Sequence, residues 1–260
     1  MAVHFPADIN VFACVCIDYS PAAPKDKAVL RYCLEKLNGN FIASAEHEKT
    51  LKVMMKLEQL IGQRIVWVRG KSFDKVIDEA GCLPTWARRF CTTEMKILPI
   101  FEYCYFNHGP VQMNIGFRAD ERDRMKVNSA ELVIDYPVSC KNYKQQRQNW
   151  KEIYYGQKHY PLYKTFHHEI RQYWQTRPDF DFPFDSNCQG CHHKPSALIN
   201  ANYRETPEIL EWFSIQEEKG KYNTWHDDRV PYAKVFNTDY QNLFSGITDF
   251  TMCNSGGCTD

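Results

Sequence analysis

Three groups of cysteines, far apart along 260 residues, are the residues here whose type and spacing could do chemistry. Cys188 and Cys191 stand in Asn-Cys-Gln-Gly-Cys-His-His, two residues apart, a spacing that turns both thiolates toward one metal centre. Cys91 lies almost a hundred residues upstream in Arg-Arg-Phe-Cys-Thr-Thr-Glu-Met-Lys, and Cys253 and Cys258 close the chain. One pair needs partners from elsewhere in the fold, and the other two groups offer them. Thiolates suit iron–sulfur clusters and zinc alike, and that choice stays open here. His192 and His193 follow the pair and read as neighbours of such a centre or as solvent-facing groups.

Composition frames this chemistry. The eleven cysteines are odd in number and scattered, which argues against a secreted disulfide framework and for metal or redox use inside a cell. Net charge is zero, so no global field draws the chain to nucleic acid or an anionic membrane. No stretch approaches the roughly 18 apolar residues of a membrane span. The first residues lack the basic start and apolar stretch of a signal peptide. The expected location is the cytoplasm.

The elements that must position the cysteines can be read from periodicity. Residues 9–17 form a nearly continuous apolar run, the pattern of a strand buried on both faces. Residues 27–37 carry apolar side chains at helical spacing, and Asn38-Gly39 stops that helix. A second strand over 41–45, a helix over 50–61 and a third strand over 64–68 complete an alternation that implies a parallel sheet with flanking helices. A helix is expected after Cys91 and a strand over 112–117. The expected fold class is α/β, an open and mainly parallel sheet in residues 1–138. Residues 139–260 form a helical and irregular cysteine-containing portion, with an exposed tail from about 237. Tyr143, Trp150, Tyr154, Tyr155, Tyr160 and Tyr163, interleaved with basic residues, read first as a helical subdomain covering its own core. Stacking on single-stranded nucleic acid is the other reading. Cys14, Cys16, Cys33 and Cys104 read as small core residues, and Cys82 and Cys140 take no role.

Four segments in order carry a resemblance. Residues 41–51 with 61–68, then 87–97 (Ala-Arg-Arg-Phe-Cys-Thr-Thr-Glu-Met-Lys-Ile), 116–124 (Gly-Phe-Arg-Ala-Asp-Glu-Arg-Asp-Arg), and 184–191 with the helix beginning at Pro207, resemble the phosphoadenosine phosphosulfate reductase-like family. The versions common in bacteriophages, within the adenine nucleotide alpha-hydrolase (PP-loop) superfamily, are the most similar in pattern; a phage-encoded chain would work in the host cytoplasm. The resemblance implies a four-iron, four-sulfur cluster on Cys91, Cys188 and Cys191. Cys258 or Cys253 would be the fourth ligand, and zinc the alternative. Phe90 stands where relatives have a further cysteine. The resemblance further implies an adenylated or sulfur-bearing nucleotide as substrate, ATP or another adenosine nucleotide, or sulfur transfer to nucleic acid. Arg89, Lys96, Arg118, Asp120, Glu121 and Arg124 would meet the anion, and Glu46 and His47 the adenosine side. A charged turn at 118–124 and helix capping at 46–48 are the plain alternatives.

Two departures qualify it. The family's Ser-Gly-Gly-x-x-Ser phosphate loop is replaced by residues 18–28, where only Ser20, Lys25 and Asp26 echo the motif. Proline supplies no amide and cannot take glycine's positive φ, so an ordinary pyrophosphate cradle is not expected. The C-terminal Glu-Cys-Gly-x-His of the reductases is also absent. The competing expectation is therefore a descendant that binds a nucleotide, nucleic acid or host protein around a structural metal centre, without catalysis.

Overall fold

In the computed structural model, residues 7–85, 88–108, 111–118, 154–162, 166–183, 187–219, 224–225 and 230–238 are described. Helices and strands mix, with short parallel sheets flanked by helices, as an α/β reading requires. Strand β1 (Asn10–Ala13) pairs in parallel with a later strand, Ile65–Val68, in the register Asn10↔Ile65 to Ala13↔Val68. The apolar run does not continue as one strand. After the Cys14 amide donates to the Val68 carbonyl, the chain turns, and β2 (Cys16–Ile17) pairs antiparallel with β3 (Ala43–Ser44). The Val15 carbonyl decides this turn: it accepts both the Ala45 amide and the Ser44 hydroxyl, each at 3.0 Å. Residues 41–45 were expected to run parallel within the sheet; local pairing to Val15 overrides the simple alternation.

Between these strands lie α1 (Lys27–Lys36) and α2 (Glu48–Ile61), and Ile65–Val68 is β4. Asp26 caps α1 by accepting the Ala28 amide, and α1 ends where Asn38 and Gly39 take positive φ. Helix α3 (Phe73–Ala80) ends on Gly81, again left-handed. A helical stretch from Phe90 contains Cys91, passes through a π-helical turn (Thr93–Ile97) and becomes α4 (Leu98–His108). Such a turn widens the helix locally and recurs where side chains must be re-aimed; here it carries Lys96.

Strands β5 (Val111–Arg118) and β6 (Tyr154–Leu162) pair in parallel. The second corrects the expectation that the tyrosine-rich region is helical. Tyr154, Tyr155 and Tyr160 lie on a strand, in keeping with the preference of aromatic side chains for a pleated surface. Tyr143, Trp150 and Tyr163 lie outside the described residues. Helices α5 (His167–Gln175), α6 (Ser196–Glu205), α7 (Pro207–Lys219) and α8 (Tyr232–Phe236) complete the described chain.

Two buried clusters organise the packing. One joins Val15, Ile17 and Phe73 to Trp212, Phe213, Trp225 and Tyr232, so residues from early and late sequence share one core. The other gathers Cys14, Cys16, Cys33, Leu51 and Trp67 between α1, α2 and β4. Among the described residues no helix is long and apolar enough to cross a membrane.

Candidate metal centre and phosphate loop

The Cys188–Cys191 turn is fixed by its backbone. The Cys191 amide donates to the Cys188 carbonyl at 3.1 Å, and the Lys194 amide to Cys191 at 2.9 Å. The residues between the sulfurs anchor outward. The Gln189 amide donates to the Ala45 carbonyl at 2.8 Å, and its own carbonyl accepts Asn202 Nδ2 at 2.9 Å. The Tyr232 hydroxyl donates to the Gly190 carbonyl at 3.0 Å. A Cβ at Gly190 would drive into the Phe213 ring, so close packing requires glycine there. With both intervening residues tied down, the turn cannot rotate freely, and its two sulfurs keep a fixed relation to β3 and α7.

Cys91 comes to this turn from the start of the helical stretch. Its thiol feels the charge of Cys191, and Cys188 feels both Cys191 and Cys91. Residues from two distant sequence positions thus share a neighbourhood, with Cys91 and Cys188 both packed against the buried core that holds Phe213 and Trp225. Burial pushes the Cys91 thiol up to about 11, with Cys191 adding to the shift and Arg89 opposing it. Burial likewise holds Cys188 well above the ordinary thiol range, against the pull of Lys96.

Beside the sulfurs lies an ion pair. Lys96 Nζ is 3.1 Å from Glu46 Oε1, and Glu46 is 3% exposed. The other carboxylate oxygen, Oε2, is buried and has no hydrogen-bond partner among the described residues. Burial works against the Lys96 charge, but Glu46 and the neighbouring Cys188 outweigh it and hold the ammonium on. Glu46 and Lys96, both expected at the site, are thus together and next to the cysteines. His47 is not part of this group. Its Nδ1 caps α2 by accepting the Lys49 amide at 2.9 Å, and its Nε2 lies 3.2 Å from Glu205 on α6. Burial lowers its pKa despite Glu205. Capping, the plain alternative at 46–48, is what His47 does.

A single zinc ion bound at about 2.3 Å by each sulfur draws its ligands to within about 4 Å of one another. Among the described residues no three His, Cys, Asp or Glu side chains are grouped closely enough to hold one metal ion. A four-iron cluster takes each thiolate on a different iron and spaces the cysteines more widely. Cys253 and Cys258 lie outside the described residues, as do Asp120, Glu121, Arg124 and Cys140. Arg118 ends β5.

The loop that replaces the phosphate cradle is closed by the chain's own carboxylates. The Lys25 and Asp26 amides, at the entry to α1, donate to the two oxygens of Glu48 at 2.6 and 3.2 Å. The Asp18 amide donates to Asp74 Oδ2 at 2.7 Å. Ser20 lies in a short 3₁₀ turn, Lys25 pairs with Glu208 at 2.8 Å, and the Asp26 side chain takes Lys52 at 2.9 Å. Backbone amides aimed at an anion are what a phosphate loop supplies; here a carboxylate already fills that role. Sequence reasoning found Ser20, Lys25 and Asp26 but missed Glu48 and Asp74. No local spacing signals either, because each reaches the loop from a different helix.

No family model, curated protein or solved structure matches this chain.

Proposed function

We propose that the chain is a phosphoadenosine phosphosulfate reductase-like iron–sulfur protein of the bacteriophage kind, on an adenine nucleotide alpha-hydrolase-like fold, working in the cytoplasm. The observation that supports this reading is that Cys91 and Cys188 pack against one buried core, with the Lys96–Glu46 pair near enough to act on Cys188. Cys258 or Cys253 would complete the ligand set for a four-iron, four-sulfur cluster, with zinc as the alternative. The chain's own residues have definable tasks. Lys96, held charged by Glu46, is a fixed cation for the anionic end of an adenylated or sulfur-bearing nucleotide, and Arg89 stands near Cys91 with the same sign. Glu46 orients that ammonium and keeps one acceptor, Oε2, for a donor group on the substrate. The bound cluster would supply polarisation of the sulfur-bearing group, or sulfur itself for transfer to nucleic acid.

The test is anaerobic purification of the whole chain with iron, sulfide and zinc analysis and a visible spectrum. A brown protein with near-equal iron and sulfide that loses both in C91S and C188S supports the reading. A colourless zinc protein, or one free of metal, overturns the iron–sulfur assignment.

A specific observation favours a second reading. Glu48 and Asp74 occupy amides that a nucleotide's phosphates would need. On that reading the chain is a binding protein for a nucleotide, nucleic acid or host protein, with a structural metal centre and no nucleotide activation. Conversion of ATP to monophosphate and pyrophosphate separates the two: its presence supports the enzyme, and its absence in a metal-loaded protein supports the binding protein.

A further inference from the structure

The junction of β1 and β2 brings together three thiols that the candidate metal centre does not use. Cys14 and Cys16 flank Val15, and extended backbone sends alternate side chains to opposite faces. Val15 accordingly packs in the core that holds Trp212 and Phe213, while Cys14 and Cys16 pack in the other, with Cys33 from α1. All three are free thiols, 1%, 2% and 0% exposed. Packing alone explains small side chains at these positions. It does not explain sulfur against sulfur: the Cys14 S–H donates to the Cys16 sulfur.

That hydrogen bond makes the two thiols unequal. It lowers the Cys16 pKa, with the Arg69 charge assisting and burial, Glu46 and Asp18 opposing. It raises the Cys14 pKa, and burial raises it further. Burial pushes Cys33 up to about 12, with the Cys16 charge adding to the shift. Cys16 is thus the readiest of the three to become a thiolate, and a second thiol is in contact with it. Its strand is held by only two paired positions, Cys16↔Ser44 and Ile17↔Ala43. So short a ladder opens locally at lower cost than the whole fold, which admits a reagent little larger than water.

We propose that Cys14 and Cys16 form a redox-active dithiol that a small hydroperoxide oxidises to a disulfide, with Cys16 the attacking sulfur and Cys14 the resolving one. The Cys16 thiolate attacks one peroxide oxygen and the O–O bond breaks. A sulfenic acid forms on Cys16, and the departing hydroxide takes up the proton that Cys16 released. The Cys14 sulfur then attacks the Cys16 sulfur, the S–S bond forms, and the second hydroxide leaves with the Cys14 proton as water. Two thiols give up two electrons, and one hydrogen peroxide becomes two waters. The assignment is independent of any metal at Cys91, Cys188 and Cys191.

The experiment treats the reduced full-length protein with rising amounts of hydrogen peroxide, alkylates it in denaturant and digests it with trypsin. Lys25 is the first Lys or Arg, so residues 1–25 form one peptide whose only cysteines are Cys14 and Cys16, and Cys33 falls in residues 32–36. The expected product is an unalkylated 1–25 peptide, lighter by two hydrogens than its reduced form, which dithiothreitol returns to the doubly alkylated form. C33A should keep this product. Dimedone should label Cys16 in C14A about tenfold more than Cys14 in C16A. The parent measurement needs no variant, so a variant that fails to fold leaves the test standing. A doubly alkylated 1–25 peptide that persists after the more exposed Cys82 is consumed overturns the assignment. So does a bond joining 1–25 to 32–36 in place of the internal one, loss of the product in a folded C33A, or equal dimedone labelling in the two single variants.

Discussion

Two turns in this molecule are both tied down by hydrogen bonds and differ in what they leave over. The 187–194 turn spends its backbone groups on neighbours: Gln189 on Ala45 and Asn202, Gly190 on Tyr232. Its sulfurs are not used to hold the turn, and the Cys188 thiol feels the charges of Lys96, Glu46 and Cys91. The 18–26 loop does the reverse, because its amides, the groups that would do chemistry, are consumed by Glu48 and Asp74. Rigidity is common to both. The difference is whether the reactive atoms are the ones used to obtain it, and this is why the cysteine turn carries the functional reading and the loop argues against nucleotide activation.

The comparison can be broken most severely at Asp74. This carboxylate accepts the Asp18 amide, the Trp212 indole at 2.9 Å and Gln216 Nε2 at 3.0 Å. D74A strands three donors and should cost about 3 kcal/mol in urea unfolding. A loss under about 1 kcal/mol would mean that water replaces the carboxylate freely, and the loop is not closed in the sense argued. The matching attack on the cysteine turn is G190A, which forces a methyl group against Phe213. It should cost about 2 kcal/mol by overpacking and shift the turn. Metal loading should fall with it if the turn's placement matters to the sulfurs.

A smaller effect is expected at Glu48. E48A removes the acceptor for two amides at the start of α1 and should destabilise by about 1 kcal/mol, the usual worth of a cap. Added sulfate should restore more of the melting temperature in the variant than in the parent, since an anion can then take the carboxylate's place. Equal responses to sulfate would remove the parallel with a phosphate cradle.

The least effect is that of acidity on His47. Its pKa in the folded chain is lowered from 6.5, chiefly by burial, so the unfolded chain binds its proton more readily. The stabilisation is complete above pH 6.5 and is lost as pH falls toward the lowered value. H47N keeps a capping acceptor but cannot titrate. The gap in melting temperature between parent and H47N should therefore narrow or invert on going from about pH 7.5 to pH 5. An unchanged gap would show that His47 takes up its proton equally in the folded and the unfolded chain.

How much of this was legible in the sequence depends on range. Helix α1 could be read within a residue, because the Asp26 cap and the Asn38-Gly39 stop lie next to the periodic stretch they bound. Cys91, Cys188 and Cys191 could be singled out together because thiol chemistry limits what such residues are for. The antiparallel pairing of Ala43–Ser44 was not, since it turns on one carbonyl, Val15, choosing Ala45 and Ser44. Nor was β6 legible, where tyrosines alternate with Gly, Gln, Lys and Pro too irregularly to declare a period. Glu48 filling the loop arises from helices meeting in space, which no local spacing encodes.

The bond from Trp212 to Asp74 spans 138 positions, and Phe73, next to that acid, is covered by the rings of Trp212, Phe213 and Trp225. A ribosome must therefore make most of the chain before the early segment can cover that apolar surface. A fragment halted ahead of helix α7 should be sticky and short-lived, and supplying a separate peptide of 187–238 to it should rescue solubility.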